Sequence, residues 1–291
     1  MLGSILKAIR PHQWVKNLFV AAPLVFAKRI GDVPSDLRAA AAFAAFCLLS
    51  SAVYLVNDLV DLEKDRAHPI KRNRPLASGA LKPEIARVLA GLFAVAALGS
   101  GLALGWGFAL TATTYLALNA AYSFRLKRVA FVDVACISLG FLLRVLAGAY
   151  AIDVPASRWL LVCTLLLSSL LGFGKRAHEL RIGGEDGHLH REVLGDYNPR
   201  VLRALLGALG VATTAAYLIY TRTQHASDLF GGGHLVFTVP FVGFGVYRFI
   251  RIVSRTDKAD SPTDSMLHDP AFVLNLVLYA GAVVAIIYLA P

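Results

Sequence analysis

The chain has 291 residues, of which 57% are hydrophobic and 16% are charged, and its formal net charge is +10. Soluble domains carry about 25% charged residues, so this composition excludes an ordinary soluble domain and indicates an integral membrane protein. A positive charge of this size is also found in nucleic-acid-binding proteins, so the distribution of the cations along the chain decides between the two explanations.

Nine apolar segments are long enough to cross a bilayer, which takes about 20 residues. We predict spans near residues 17–34, 37–57, 84–104, 106–123, 131–152, 157–175, 200–221, 234–252 and 271–290. The first is the weakest, because Pro23 interrupts it and Lys28 and Arg29 shorten it. The predicted fold is therefore all-α, a single polytopic membrane domain of nine helices that covers residues 1–291.

The cations are distributed asymmetrically between the two sides of this predicted topology. If the N-terminus lies inside, 20 of the 29 Lys and Arg residues fall in inside segments and 5 fall in outside segments. Cytoplasmic loops of membrane proteins carry such an excess of Lys and Arg. We therefore predict a multi-pass protein of the plasma membrane with its N-terminus and its long loops in the cytoplasm. Because topology accounts for the charge, we predict no nucleic-acid partner.

A group of acidic residues follows the second predicted span. Asp58, Asp61 and Asp65 are spaced i, i+3 and i+7, so they share one face if the helix continues. Carboxylates on one face repel each other unless a cation lies between them. A divalent cation is the usual solution, and Mg²⁺ typically takes one or two carboxylates and completes its shell with water and phosphate oxygens. The alternative is a solvated charged loop after a membrane helix.

Basic residues in the inside segments offer phosphate-binding groups. A cationic pair at the end of a predicted span also has a simpler interpretation, as a complement to the helix dipole and an anchor at the membrane surface. Lys16, at the start of the first predicted span, has the same two interpretations. The candidates for phosphate binding in these segments are Lys16, Lys71, Arg74, Lys127, Lys175 and Arg176.

Arg144 lies within the fifth predicted span and has apolar neighbours on both sides. A charge at that depth is costly and normally faces a cavity or a partner inside the bundle. It follows Asp133 by about three helical turns, so the two residues share a face. Arg144 either binds an anion that enters a central cavity, or is a structural residue bonded to the carbonyls of a broken helix.

Four motifs stand out when the inside segments are compared. They are Arg10-Pro-x-Gln-Trp-Val-Lys-Asn17, Asn57-Asp-x-x-Asp-x-x-x-Asp65-x-x-His-Pro-x-Lys-x-x-Arg-Pro75, Tyr122-Ser-x-x-Leu-Lys127 and Gly174-Lys-Arg-x-x-Glu179. Together they resemble the UbiA superfamily of membrane prenyltransferases, in its decaprenyl-phosphate phosphoribosyltransferase branch, over essentially the whole chain. The resemblance implies a nine-helix bundle with a central cavity that opens to the cytoplasm.

The last of these motifs differs from typical members that transfer prenyl groups, which carry a second Asp-rich motif there. Cations in place of carboxylates suit direct contact with phosphate oxygens, and phosphoribosyl pyrophosphate carries a 5-phosphate besides its diphosphate. The resemblance therefore implies transfer of 5-phosphoribosyl from this donor to a polyprenyl phosphate, with release of diphosphate, in the synthesis of a cell-envelope glycan precursor.

The resemblance also implies roles for the residues of the site. Asp58, Asp61 and Asp65 would be catalytic and, with Asn57, would hold Mg²⁺ on the diphosphate. The implied substrate-binding residues are Lys16, Asn57, Lys71, Arg74, Tyr122, Lys127, Arg144, Lys175 and Arg176.

Two alternatives stay open at this point. One is a prenyltransferase that moves a prenyl group from a prenyl diphosphate to an aromatic or other small acceptor. The other, less favoured, is a membrane transporter, which would need more charged residues within its spans than Arg144. The predicted partners are the two substrates and the bilayer, and a homo-oligomer is compatible with the sequence.

Overall fold

The computed structural model describes residues 2–183, 192–230, 233–255 and 262–288. Within these ranges the regular structure is helical and no strand occurs, which confirms the all-α prediction. The chain divides into two compact units, unit 1 with residues 1–129 and 139–156, and unit 2 with residues 130–138 and 157–291.

The first half of the chain forms seven α-helices and three 3₁₀ helices. The α-helices are α1 (Leu2–Ile9), α2 (Ala22–Phe26), α3 (Val33–Val60), α4 (Leu62–Ala67), α5 (Pro83–Gly99), α6 (Gly101–Leu104) and α7 (Trp106–Phe124). The 3₁₀ helices are Pro11–Val20, Lys71–Asn73 and Leu126–Arg128.

The described residues of the second half form seven more α-helices. They are α8 (Val132–Ala151), α9 (Arg158–Gly183), α10 (Pro199–Thr221), α11 (Gln224–Leu229), α12 (Val239–Arg255), α13 (Pro262–Leu267) and α14 (Pro270–Tyr288). Two 3₁₀ helices, Glu192–Asp196 and His234–Thr238, lie between them.

Seven helical segments among the described residues are long and apolar enough to cross a membrane. They are Val33–Val60, Pro83–Leu104, Val132–Ala151, Arg158–Ile182, Pro199–Thr221, His234–Arg255 and Pro270–Tyr288. Each coincides with a predicted span, and together they indicate an integral membrane protein. The predicted count of nine is not confirmed, because α7, the counterpart of the predicted span 106–123, is not among the seven.

The predicted first span, 17–34, is wrong as a continuous helix. The chain forms a 3₁₀ helix from Pro11 to Val20 and then the five-residue helix α2. A proline has no N–H and favours the first turn of a helix, so Pro11 and Pro23 each start a short helix instead of continuing a long one. Lys28 then takes a positive φ of 54°, which ends the segment.

The helix α3 is the central element of unit 1. Its N-terminus is capped by Asp32, whose carboxylate accepts a hydrogen bond from the Ser35 amide at 3.3 Å. Phe46 of α3 is fully buried and makes ring contacts with Phe108 and Tyr115 of α7. Lipid is as apolar as these side chains, so close packing and internal hydrogen bonds hold such helices together. This packing fixes the direction of α3 and hence the position of the acidic motif at its end.

Candidate active site

The acidic motif lies where α3 ends and α4 begins. Asp61 separates the two helices, so the three acidic residues do not lie on one continuous helix. Helix-like backbone hydrogen bonds nevertheless continue, from the Asp61 amide to the Asn57 carbonyl at 2.9 Å and from the Asp65 amide to the Asp61 carbonyl at 2.8 Å. The interruption is small enough that Asp58 and Asp65 reach the same partner, while Asp61 reaches another.

The shared partner of Asp58 and Asp65 is Arg74. Its Nη1 donates to Asp65 Oδ2 at 2.6 Å and to Asp58 Oδ1 at 3.2 Å. The side chains of the two acids are only 3% and 5% exposed, whereas that of Arg74 is 31% exposed. Buried carboxylates need a paired charge. The structure therefore brings the acidic stretch and the basic stretch of the second motif into one cluster.

The partner of Asp61 comes from a different motif. Lys127, in the 3₁₀ helix after α7, places Nζ 2.6 Å from Asp61 Oδ1 and 2.7 Å from Oδ2. These residues are 66 positions apart in the chain. The fold thus joins the Tyr122–Lys127 motif to the acidic motif.

Arg10 belongs to the same cluster, although it is not among the predicted site residues. Its Nη2 donates to Asp58 Oδ1 at 2.5 Å, and its guanidinium lies 5.3 Å from the centre of the Tyr54 ring. Its position at the head of the first motif was a signal that could have identified it. Lys16, which was predicted from that motif, is half-buried.

The acidic motif offers oxygen atoms suited to Mg²⁺. Asn57 Oδ1 and Asp58 Oδ2 are buried and accept no hydrogen bond, and Mg²⁺ prefers oxygen ligands. The described part of the chain contains no group of three His, Cys, Asp or Glu side chains arranged to hold an ion. Mg²⁺ usually takes only one or two carboxylates and completes its shell with water and phosphate. The residues present therefore fit an ion that is bound partly by protein oxygens and partly by oxygens of a diphosphate.

Arg144, in α8, is buried, and each nitrogen of its guanidinium donates a hydrogen bond to another group of the protein. It donates from Nε to Asn17 Oδ1 at 2.8 Å, from Nη1 to the Gly140 carbonyl at 2.9 Å and from Nη2 to Tyr115 Oη at 2.8 Å. Its guanidinium also lies 4.8 Å from the centre of the Tyr115 ring. These contacts favour the structural alternative for Arg144 over direct binding of an anion.

In unit 2, Arg176 forms a buried ionic cluster. Its Nε lies 2.9 Å from Asp133 Oδ2, and both side chains are fully buried. Arg176 Nη1 also contacts Glu179. Tyr197, which the sequence did not identify, donates its hydroxyl to Asp133 Oδ1 at 2.6 Å, and burial together with this carboxylate raises the pKa of the tyrosine. Arg176 is therefore held by acids of the protein itself.

Lys175 differs from its neighbour in exposure. Its side chain is 45% exposed and its Nζ lies 4.0 Å from Glu179 Oε1. Lys71 and Tyr122 of unit 1 are half-buried. The predictions that these three residues bind substrate rest on their sequence motifs.

Comparisons with known proteins agree with the resemblance carried by the four motifs. A sequence model described as the UbiA prenyltransferase family matches residues 17–179. The chain is 34% identical to a decaprenyl-phosphate phosphoribosyltransferase of Mycolicibacterium smegmatis, over 99% of this chain and 93% of that protein. It is 33% identical to the protein of the same name from Corynebacterium glutamicum, over 100% of this chain and 89% of that protein.

A solved structure shows the same fold. A UbiA homolog from Archaeoglobus fulgidus bound to GPP and Mg²⁺ matches with a TM-score of 0.73 and 17% identity, over 98% of this chain and 99% of that chain. The likeness in sequence covers both units and all four motifs. The chain therefore belongs to the UbiA prenyltransferase family and is a transferase.

Proposed function

We propose that the protein transfers 5-phosphoribosyl from phosphoribosyl pyrophosphate to a polyprenyl phosphate, in a reaction that depends on Mg²⁺ and releases diphosphate. The observation that carries the proposal is the full-length likeness to proteins named decaprenyl-phosphate phosphoribosyltransferase. The cations gathered on the acidic motif support it, because a donor with three phosphate groups needs several cations around it.

The metal-binding residues that we propose are Asn57, Asp58, Asp61 and Asp65. The two buried oxygens that accept no hydrogen bond, Asn57 Oδ1 and Asp58 Oδ2, support this assignment. When bound, Mg²⁺ would neutralise the negative charge on the diphosphate.

The phosphates of the donor would be positioned by Lys71, Arg74 and Lys127, with Lys16 and Tyr122 as further contacts. Arg74 and Lys127 hold the carboxylates at 2.6 Å in the structure, so their charges already lie at the motif. An oxygen of the lipid phosphate attacks the anomeric carbon of ribose. The bond from this carbon to the diphosphate oxygen breaks, and the electron pair leaves with the diphosphate.

This reaction needs little acid or base catalysis. A phosphate monoester is already ionised at neutral pH, so no group has to remove a proton from the nucleophile. Orientation and charge stabilisation would supply most of the rate. A site rich in Arg and Lys suits this chemistry.

The remaining predicted residues have different proposed roles. In unit 2, Lys175 is proposed to bind phosphate because its side chain is partly exposed, whereas Arg176 is proposed to stabilise the end of α9 through Asp133 and Glu179. Arg144 is proposed to support the residues around it rather than to bind substrate. The reaction is proposed to take place at the cytoplasmic face of the plasma membrane, where the lipid chain enters from the bilayer and the product serves cell-envelope glycan synthesis.

A donor and acceptor screen tests the proposal. Purified protein is incubated with Mg²⁺ and a short polyprenyl phosphate plus phosphoribosyl pyrophosphate, or with a prenyl diphosphate plus an aromatic acceptor, and the lipid products are analysed by mass spectrometry. We expect product only with phosphoribosyl pyrophosphate and none after addition of EDTA. Product only from the prenyl diphosphate would replace the proposal with the prenyl-transfer alternative.

A further inference from the structure

We propose that Arg10 is a further donor-binding residue, and that its guanidinium and that of Arg74 together receive a phosphate group of the donor. This inference deepens the proposed function and rests on it for the identity of the donor. It starts from one unusual contact, in which two guanidinium groups meet at one carboxylate oxygen.

Asp58 Oδ1 accepts from Arg10 Nη2 at 2.5 Å and from Arg74 Nη1 at 3.2 Å. Both cations therefore lie next to each other, where their charges repel. The side chain of Asp58 is 3% exposed, but those of Arg10 and Arg74 are 24% and 31% exposed. Each guanidinium has five N–H donors, so both have donors left for a ligand. A phosphate oxygen between them would relieve the repulsion and accept hydrogen bonds from both.

The backbone of Arg10 has the left-handed conformation, with φ 52° and ψ 63°. Residues other than glycine rarely adopt it. Such conformations persist where the surroundings enforce them, and they concentrate at binding and catalytic sites. At this position the conformation marks the junction between α1 and the 3₁₀ helix Pro11–Val20, and the side chain at the junction reaches Asp58.

The chain on both sides of Arg10 is fixed to α3, the helix that carries Asp58. Ser51 of α3 donates to the Ile9 carbonyl at 3.2 Å and accepts from Trp14 Nε1 at 3.1 Å. Further along, Asn17 donates to Ser50 Oγ at 3.2 Å. These contacts place Arg10 relative to Asp58 independently of its own ion pair, as expected for a binding residue.

Arg144 strengthens this attachment. It donates to Asn17 Oδ1 at 2.8 Å, and Asn17 is fully buried. Also in α8, Gly148 lies so close to Val20 that a Cβ would overlap the Val20 carbonyl oxygen. The segment from Arg10 to Val20 is therefore held from both α3 and α8.

The competing explanation is that Arg10 only neutralises Asp58. In that case the loss of Arg10 would lower stability without a selective effect on the donor. The probe that separates the two explanations is inorganic diphosphate, because it carries the phosphate chemistry of the donor without ribose or lipid.

The test measures binding of diphosphate and of phosphoribosyl pyrophosphate to the full-length protein in detergent with Mg²⁺, by titration calorimetry, for wild type, Arg10→Lys and Arg10→Gln. The matched control is Arg66→Gln, which removes an Arg whose side chain is 49% exposed and pairs with Glu63. We expect Arg10→Gln to raise the Kd for both ligands by about tenfold or more. Arg10→Lys should raise both Kd values less, and the control should leave them unchanged.

Steady-state kinetics supply the second readout. Arg10→Gln should raise the KM for phosphoribosyl pyrophosphate and leave the KM for the polyprenyl phosphate unchanged. Unchanged Kd values for both ligands in a folded Arg10→Gln variant would overturn the inference. Equal increases in both KM values would also overturn it.

The proposed function and this inference can fail separately. If wild-type protein transfers phosphoribosyl and Arg10→Gln binds diphosphate normally, the inference alone is wrong. If wild-type protein transfers no phosphoribosyl but Arg10→Gln weakens diphosphate binding, the donor is wrong and Arg10 stands as a diphosphate-binding residue.

Discussion

Arg74 Nη1 lies 2.6 Å from Asp65 Oδ2, which joins the basic end of the second motif to its acidic start. The same nitrogen reaches Asp58 at 3.2 Å. A planar guanidinium suits this role because its N–H donors are fixed in a fork, whereas the ammonium of lysine is a point charge. The two acids stay buried because this cation, together with Arg10, compensates their charge.

Substitution of Arg74 should affect both activity and stability. Arg74→Gln removes the ion-pair partner of Asp65 and one of the two partners of Asp58, so we expect a loss of about 1–3 kcal/mol in stability. Activity should fall about 100-fold or more, since phosphate contacts are lost as well. Arg74→Lys should retain part of the activity and part of the stability. Initial rates and thermal unfolding in detergent measure the two effects, and Arg72→Gln, at an exposed position, is the control. A wild-type rate in Arg74→Gln would exclude a role of Arg74 in binding the donor.

Lys127 and Asp61 should behave as a coupled pair. Each single variant, Lys127→Gln or Asp61→Asn, is expected to lower the rate, because Lys127 holds both oxygens of the carboxylate. The double variant should lose less than the sum of the two losses, with a coupling of about 0.5–3 kcal/mol in activation free energy. A double-mutant cycle on kcat/KM measures the coupling. Exposed Arg128→Gln serves as the control, and strict additivity would show that the contact has no part in the reaction.

Arg176 and Lys175 should separate into a structural and a functional residue. Arg176→Met leaves Asp133 buried without its cation, so we expect a loss of about 3–5 kcal/mol in stability. Arg176→Met combined with Asp133→Asn should recover part of that loss. Lys175→Ala should unfold like wild type and raise the KM for the donor. If Arg176→Met kept wild-type stability and raised that KM, the direct phosphate-binding role first predicted for it would be restored.

Asn17 should connect stability with donor binding. Asn17→Ala removes the acceptor of Arg144 Nε and the donor to Ser50, and we expect a loss of about 1–3 kcal/mol in stability. Because Asn17 helps to hold the segment that carries Arg10, the KM for the donor should rise while the KM for the lipid stays constant. Gln13→Ala, in the same segment, is the control. Loss of stability with an unchanged donor KM would limit Asn17 to a structural role.

Much of the fold could be predicted because a bilayer imposes length and hydropathy on each span. The seven helical segments from Val33 to Tyr288 follow long apolar runs for this reason. The first predicted span failed because hydropathy carries no information about backbone geometry, and prolines together with a positive φ at Lys28 divide that segment into short helices.

Contacts within the site could be predicted only where the residues are close in sequence. Asp58, Asp65 and Arg74 belong to one motif, so their association follows from local structure. The contact of Lys127 with Asp61 spans 66 positions and depends on helix packing. The burial of Arg176 against Asp133 and Tyr197 could not be read from its motif, since exposure depends on the residues that the fold places around it.

The most direct measurement of the central claim follows the donor atoms through the reaction. The purified protein is given Mg²⁺, a short polyprenyl phosphate and phosphoribosyl pyrophosphate labelled with ¹³C at the anomeric carbon, and lipid and diphosphate are quantified together. We expect a lipid product that gains one labelled phosphoribosyl group for each diphosphate released, and almost none with Asp58→Asn. A lipid without the label, or full activity in Asp58→Asn, would contradict the proposed reaction and its site.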